Sequence, residues 1–342
     1  MSIDRLPEFD DHRILNFLQD SKTGLRAYVS IHRGGIKAPA FGATRYWHYR
    51  HEEDAIKDVL RLSETMSHKS AMAGLKYGGA KAVIMSNGVK DKKAVLRSYA
   101  EKLDYLHGHF VTGTDAGMTR EDLLVMARVS DNFVGLKANP EKATVDGFFE
   151  ALEVCMRTYF GDFNLSGRSF SVQGLGKTGL GIVERLYENG ATIYASEVDK
   201  ERIREVKRAF PKVNMVASDR IYDKEVDVFV PCALSHSINR NNIGKLKVKI
   251  IIGSANNQLE DDNMGEKLMR KGIIYAPDFV VNAGGLISVI DEYDPIRLGS
   301  IEEKIKNIGK NIKKIITASN KRKEPTNVVA NCMARRIFDN FN

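Results

Sequence analysis

Ser169-Phe170-Ser171-Val172-Gln173-Gly174-Leu175-Gly176-Lys177-Thr178-Gly179 decides the fold of this chain. Residues 169–173 read as a short buried strand, and a helical pattern opens at Thr178 and runs to Asn189. A glycine-rich turn between a strand and a helix lets backbone come close to a pyrophosphate, and the helix N-terminus adds free N–H groups and a favourable dipole. Alone, the glycine spacing is a weak signal. Here its context is right, with a second strand, Thr192-Ile193-Tyr194-Ala195-Ser196-Glu197, about twenty residues on. Glu197, with Val198 beside it, stands where an acid accepts hydrogen bonds from an adenosine ribose and repels a 2′-phosphate, so NAD is expected over NADP. Lys177, inside the turn, is a cation that could attract an extra phosphate.

Outward from that turn, Val226–Val230, Lys249–Ile252 and Ile273–Ala276 are further short β-rich runs separated by helical patterns. Strand–helix alternation predicts a parallel sheet covered on both faces, with ligands at the carboxyl ends of the strands. Three segments end there. Pro231-Cys232-Ala233-Leu234 offers Cys232 and Ala233, Gly253–Gln258 offers Ala255, Asn256 and Asn257, and Pro277–Gly285 offers Asn282. Each Asn alone reads as a turn former; together at strand ends they read as contacts to ribose, carboxamide or substrate. Residues 301–316 carry isoleucines at helical spacing with lysines between, a packing helix with a solvated basic face.

The N-terminal part reads differently. Residues 1–20 look like a helical lead-in, Gly24–His32 like a strand, and 52–66 like an amphipathic helix. The helix leads to Ser67-His68-Lys69-Ser70-Ala71-Met72-Ala73-Gly74-Leu75-Lys76-Tyr77-Gly78-Gly79-Ala80-Lys81-Ala82-Val83-Ile84. Lys69 falls at or past the helix end, and Lys81 where a glycine turn feeds a buried strand. A lysine among small and apolar residues is desolvated, and a second ammonium nearby also disfavours its charge, which makes it a usable base. The plainer reading is two exposed lysines beside a flexible loop. Asp91 is expected to cap one helix, and Thr119 with Asp122 to box the start of another. Asp115, between Gly113 and Gly117 at a strand end, reads as a catalytic carboxylate or an Asx turn. Asn139-Pro140-Glu141-Lys142 reads as a hinge, giving domains 1–140 and 141–324.

Composition sets bounds. The 342 residues suit two domains, and 43% hydrophobic with 28% charged residues describes an ordinary soluble chain. No run approaches the roughly 18 apolar residues of a membrane span. The N-terminus lacks a secretory pattern, so the cytoplasm is expected. The net charge of +8 is diluted and concentrated partly in one helix, which argues against nucleic acid as a partner. Three cysteines show no metal or disulfide spacing, and no metal is expected.

Read in order, Phe41-Gly42-Ala43-Thr44-Arg45, the Lys69–Lys81 stretch, Thr114-Asp115-Ala116-Gly117, the Gly174–Gly179 turn, Pro231–Leu234, Gly253–Leu259 and Tyr275–Leu286 resemble the family of glutamate, leucine, valine and phenylalanine dehydrogenases, nearest its leucine branch. The likeness covers about Gly24 to Arg336. It implies oxidative deamination of an L-amino acid to a 2-oxo acid and ammonia with NAD, and the reverse amination. It also implies an α/β substrate and oligomerisation domain, then a Rossmann NAD domain, with a C-terminal helix at about 325–342 returning to the first. A homo-oligomer is implied, at least a dimer, with an octamer as the larger candidate. By position, Lys69 would hold the substrate carboxylate, Lys81 would be the base and Asp115 a proton shuttle. Phe41, Gly42, Ala43, Gly113, Leu286 and Val289 would shape the side-chain pocket.

Departures bear on the substrate. Ala43 stands where the family has Gly, Tyr46 where it has Met, and Ser288 where it has Asn, while Gly113 opens another wall. One methylene of pocket change alters preference by about 10–200-fold. No charged residue stands among the pocket positions, which argues against glutamate and for an apolar side chain, branched aliphatic ahead of aromatic. A catalytically inactive NAD-binding regulatory protein is the other alternative.

Overall fold

A computed structural model describes residues 2–34, 37–233 and 235–339. The chain divides into two compact units. Unit 1 holds Met1–Asn139, Ser288–Gly299 and Met333–Asn342; unit 2 holds Pro140–Ile287 and Ser300–Cys332. Where the sequence suggested an unbroken second domain over 141–324, residues 288–299 thus group with the first unit, and the late return begins at Met333.

Unit 1 begins with a hairpin of β1 (Ile14–Asp20) and β2 (Leu25–Arg33), followed by β3 (Ala40–Trp47), α1 (Glu52–Met72) and β4 (Gly78–Met85). Then come α2 (Lys92–Leu103), β5 (Phe110–Thr114) and α3 (Arg120–Ala127). The sheet order is β1-β2-β4-β3-β5, antiparallel at β1/β2 and β2/β4 and parallel at β4/β3 and β3/β5. The helical lead-in expected over 1–20 is corrected: among the described residues there only Ile3–Arg5 are helical, as a 3₁₀ turn, and β1 pairs with β2 over its whole length. Asp20 at the turn accepts from Lys22 N at 3.0 Å and Thr23 Oγ1 at 2.9 Å, so turn chemistry and pairing override a local helical tendency. One sheet face packs against α1 through Val59, Leu60 and Val83, and the other buries Leu96, Tyr99, Phe110, Leu123 and Met126. The two expected caps are present: Asp91 accepts from Ala94 N, and Thr119 and Asp122 bond each other's backbone.

Unit 2 opens at α4 (Pro140–Phe160), with proline in the first turn where its missing N–H costs nothing. The expected hinge at 139–142 is therefore helical from Pro140 on. The chain continues through β6 (Ser169–Gln173), α5 (Lys177–Glu188), β7 (Thr192–Ser196), α6 (Lys200–Ala209), β8 (Asn214–Met215), β9 (Val228–Pro231) and β10 (Ile250–Ile251). It proceeds through α7 (Asp262–Arg270), β11 (Ile274–Tyr275), α8 (Asp278–Val281), α9 (Gly284–Tyr293), α10 (Pro295–Leu298), α11 (Ile301–Arg322) and α12 (Thr326–Phe338). The sheet order β11-β10-β9-β6-β7-β8 is wholly parallel, so the strand sequence reverses between β6 and β9. That is the doubly wound dinucleotide-binding order, with its crevice at the carboxyl ends of β6 and β9. Among the described residues no helix is long and apolar enough to cross a membrane.

Candidate active site and dinucleotide cradle

The glycine pair before Lys81 is a packing requirement. A Cβ on Gly79 would stand 2.0 Å from Ser67 N, and one on Gly78 1.7 Å from the Arg33 carbonyl. Without side chains there, the last turns of α1 and the end of β2 close directly onto the start of β4. The reading of a flexible loop beside exposed lysines is thereby corrected. Lys81 lies inside β4, not at its mouth, and is 6% exposed. Lys69 lies inside α1, which runs six residues beyond its expected end, and is half-buried.

Lys81 Nζ meets Asp115 Oδ2 at 3.0 Å. The same carboxylate oxygen accepts from Arg45 Nε at 2.9 Å, and Arg45 donates onward to Asp58 Oδ2 at 2.7 Å. Tyr49 Oη at 2.8 Å and Arg61 at 2.8 Å complete the shell around Asp58. Burial works against charge on Asp115, yet Lys81 and Arg45 hold its carboxyl well below the usual carboxylate range. Its side chain binds these two cations, so the Asx-turn reading gives way to an ion-pair network. Sequence reasoning made Lys69 the charge acting on Lys81, whereas the group at ion-pair distance is this carboxylate. Arg45, Asp58, Tyr49 and Arg61 were missed as site residues. Period-2 alternation from Ala43 would have put Arg45 on the same face.

Ala43 and Gly113 are register partners on β3 and β5, so two small residues lie side by side next to the pair. Gly42 serves packing: a Cβ there would meet the Ala80 carbonyl at 1.8 Å. Phe41 is 1% exposed, with the rings of Tyr77 and Tyr293 edge-on at 4.9 and 5.1 Å. Tyr77 Oη donates to Asp294 at 3.0 Å. Val289 lies in unit 1 beside Gly135, whereas Leu286, 7% exposed, belongs to unit 2. The six pocket positions are thus split between the units.

In unit 2 the three glycines of the turn have separate tasks. Gly174 takes φ +89° and lies against Ala233, and a Cβ on Gly179 would meet the Gly174 carbonyl at 2.1 Å. Gly176, the cap residue of α5, has nothing within 4 Å of where its Cβ would be. Backbone is open there at a helix N-terminus, next to half-buried Thr178, as a pyrophosphate requires. Glu197 accepts from Leu175 N at 2.8 Å, Val198 N at 2.7 Å and Asp199 N at 3.1 Å. Burial opposes its charge, but these amides and Arg202 keep the carboxyl below its ordinary value. A carboxylate has about four acceptor positions, so capacity for ribose hydroxyls remains. Val198 beside it is 82% exposed.

Lys177 is drawn aside, with Nζ 2.9 Å from Glu141. Cys232 N donates to the Gln173 carbonyl at 2.8 Å, which fixes the β9 end beside the turn; Ala233 follows exposed, and Leu234 lies outside the described residues. Asn282 Nδ2 donates to Asn256 Oδ1 at 2.8 Å and the Ser254 carbonyl at 3.2 Å, while its buried Oδ1 has no partner among the described residues. Asn257 takes a left-handed φ of 51°, a turn role, and Ala255 is buried. An orphaned amide oxygen and an open glycine turn on one sheet edge fit a bound dinucleotide. Among the described residues no group of three or more His, Cys, Asp or Glu is placed to hold a metal.

Fold and site together define a two-unit α/β protein with a dinucleotide cradle in one unit and a buried lysine–carboxylate pair in the other. Residues 196–336 match the pattern of the glutamate/leucine/phenylalanine/valine dehydrogenases, and residues 14–132 match that family's dimerisation domain. A phenylalanine dehydrogenase of Lysinibacillus sphaericus is 40% identical over 298 residues, covering 83% of this chain and 78% of the relative. A leucine dehydrogenase of Geobacillus stearothermophilus is 36% identical over 346 residues, 99% of this chain and 94% of the relative. The crystal structure of L-tryptophan dehydrogenase from Nostoc punctiforme superposes with a TM-score of 0.82 at 34% identity, covering 96% of each chain. The chain belongs to the glutamate/leucine/phenylalanine/valine dehydrogenase family and is an amino-acid dehydrogenase.

Proposed function

We propose that this chain is an NAD-dependent dehydrogenase of apolar L-amino acids, converting the amino acid and water to the 2-oxo acid and ammonium, and running the amination in reverse. The observation that carries this reading is the 3.0 Å contact between Lys81 and Asp115 on a buried strand. A nicotinamide dinucleotide, when bound, supplies the hydride acceptor. Gly174, Gly176, Thr178 and Gly179 would hold its pyrophosphate and Glu197 its ribose, with Cys232, Ala233, Ala255, Asn256, Asn257 and Asn282 along the same edge. Glu197 at the strand end favours NAD, and the engagement of Lys177 with Glu141 supports that choice.

Hydride leaves Cα more readily from a neutral amine, so the substrate ammonium must lose a proton. Asp115 takes it and, being 21% exposed, can release it to solvent. Lys81 first passes its own proton to Asp115 across 3.0 Å, and as a neutral amine it takes a proton from the water that attacks the imino carbon. Asp115 then gives its proton to the amino nitrogen, and the hydroxyl loses a proton back to Asp115 as the C–N bond breaks. The 2-oxo acid forms, and the departing ammonia takes that proton from Asp115 and leaves as ammonium. Lys69 holds the substrate carboxylate by its ammonium. Arg45 and Asp58 keep Asp115 oriented and anionic between turnovers.

Leucine, valine and isoleucine are the first choice of substrate, because no charged group stands among Phe41, Gly42, Ala43, Gly113, Leu286 and Val289. An aromatic amino acid is the second reading, favoured by the 40% identity to a phenylalanine dehydrogenase and by the likeness to a tryptophan dehydrogenase. NADH oxidation with ammonium and 4-methyl-2-oxopentanoate, phenylpyruvate or indolepyruvate separates them. Fastest turnover of the first supports the aliphatic reading, and no turnover of any refutes the apolar assignment. The dimerisation-domain match over 14–132 supports a homo-oligomer, and three free cysteines suit a reduced cytoplasm.

A further inference from the structure

Glu292, near the end of α9, is one of the most heavily engaged acids of unit 1. Its Oε1 accepts from Gly135 N and Leu136 N, both at 3.2 Å. Its Oε2 accepts from Gly135 N at 3.2 Å, Lys137 N at 3.0 Å and Ala138 N at 2.7 Å. Four consecutive amides converge on one carboxylate, with Gly135 at φ +97° turning the backbone into a concave nest. Such a nest without an anion would leave four donors facing each other, so the carboxylate holds this loop's shape.

The loop leads in both directions to places that matter. Backwards, Val134 N donates to the Thr112 carbonyl at 3.0 Å and Thr112 N to the Asn132 carbonyl at 2.9 Å, which zips residues 132–134 onto β5. The Val134 carbonyl lies 3.1 Å from where a Cβ on Gly113 would be, two residues before Asp115. Forwards, Ala138 is followed by Asn139, the last residue before the chain leaves unit 1. Glu292 itself sits in Ser288–Gly299, whose next two residues, Tyr293 and Asp294, seat on Phe41 and Tyr77 ahead of β4. One short segment therefore fastens both the β5 side and the β4 side of the sheet that bears Asp115 and Lys81.

We propose that Glu292 is a positioning residue of the reaction: its carboxylate fixes loop 135–138, and through β5 it keeps Asp115 within reach of Lys81. This rests on the proton-transfer roles proposed above for that pair. Its test reads amide exchange and kinetics separately. In the wild-type protein, amides 135–138 exchange at least about 10-fold more slowly than neighbouring exposed amides, although Lys137 is exposed. In Glu292→Gln, which keeps size but loses the anionic acceptor, those amides lose protection and kcat falls by about 10-fold, while KM and cofactor Kd stay within twofold. Glu292→Asp restores most of both. Unprotected amides in the wild type overturn the proposal, and so does a Gln variant with fast exchange but undiminished kcat. If the Lys81–Asp115 roles are wrong, exchange still responds to Glu292 while kcat does not follow it, and Asp115→Asn leaves turnover intact.

Discussion

Burial works against charge on Asp115, and two cations that meet one of its oxygens at 3.0 and 2.9 Å outweigh it. In the proposed mechanism, proton uptake by Asp115 needs one of those contacts to weaken, which would tie it to a filled site. Asp115→Asn keeps the shape and removes the charge. It is expected to lower kcat by about 10²–10⁴-fold, the range of general acid–base catalysis, with cofactor affinity unchanged; steady-state kinetics beside a fluorescence titration check this. Glu197 is the residue proposed to act at the other ligand. Glu197→Ala should raise the NADP/NAD ratio of kcat/KM, and an unchanged ratio contradicts its role in excluding the 2′-phosphate. The residue types of both candidate sites stand in short local patterns in the sequence, at Gly174, Glu197, Lys81 and Asp115. Arg45 and Asp58 were not legible there, because an arginine in a strand declares its purpose only through partners 70 and 13 residues away.

At the scale of elements, α1, β4 and β2 meet through the absence of side chains. The pair Gly78–Gly79 looked like a flexible turn because sequence reports what glycine permits in one segment, not what presses on it from another. Gly79→Ala would put a methyl 2.0 Å from Ser67 N, and backbone cannot step aside as a side-chain tip can. The expected outcome is a loss of at least about 1–3 kcal/mol, read as a fall in the urea midpoint, together with lost activity as α1 and Lys69 lift from β4. A variant as stable and active as the parent contradicts the close-packing reading. The Thr119–Asp122 box was readable because its partners stand three residues apart, and strand β6 because its buried run leads straight into the glycine turn. The hairpin strand β1 was not, since its pairing with β2 decides its state.

At the scale of the whole molecule, the end of the chain comes home to unit 1. Phe338 is fully buried, with the rings of His32 and His68 edge-on at 5.2 and 5.0 Å and the Arg33 guanidinium at 5.4 Å. Arg335 bridges Asp10 at 3.1 Å and Glu64 at 2.9 Å, and Asp10 also meets His32 at 3.1 Å. Burial pushes His32 down to about 3 and His68 down to about 4, and it lowers His12 as well. An imidazole held neutral in the fold is titrated first in the unfolded chain, so its stabilisation is complete above about pH 6.5 and is lost as pH falls towards about 4. Each such histidine removes up to ~1.4 kcal/mol per pH unit in that window. Melting temperature should fall steadily below about pH 6.5, more gently in His68→Asn; a flat profile down to pH 4.5 contradicts the neutral-imidazole account.

Proton transfer through Lys81 is the claim on which the chemistry depends, and Lys81→Ala tests it most directly. Turnover of whichever apolar amino acid the parent oxidises best is measured with and without added methylamine, beside a cofactor titration. Loss of turnover by at least about 10²-fold, cofactor binding unchanged and partial recovery with methylamine are the predicted results. A variant that keeps more than about a tenth of the parent rate, with no response to the amine, contradicts the account.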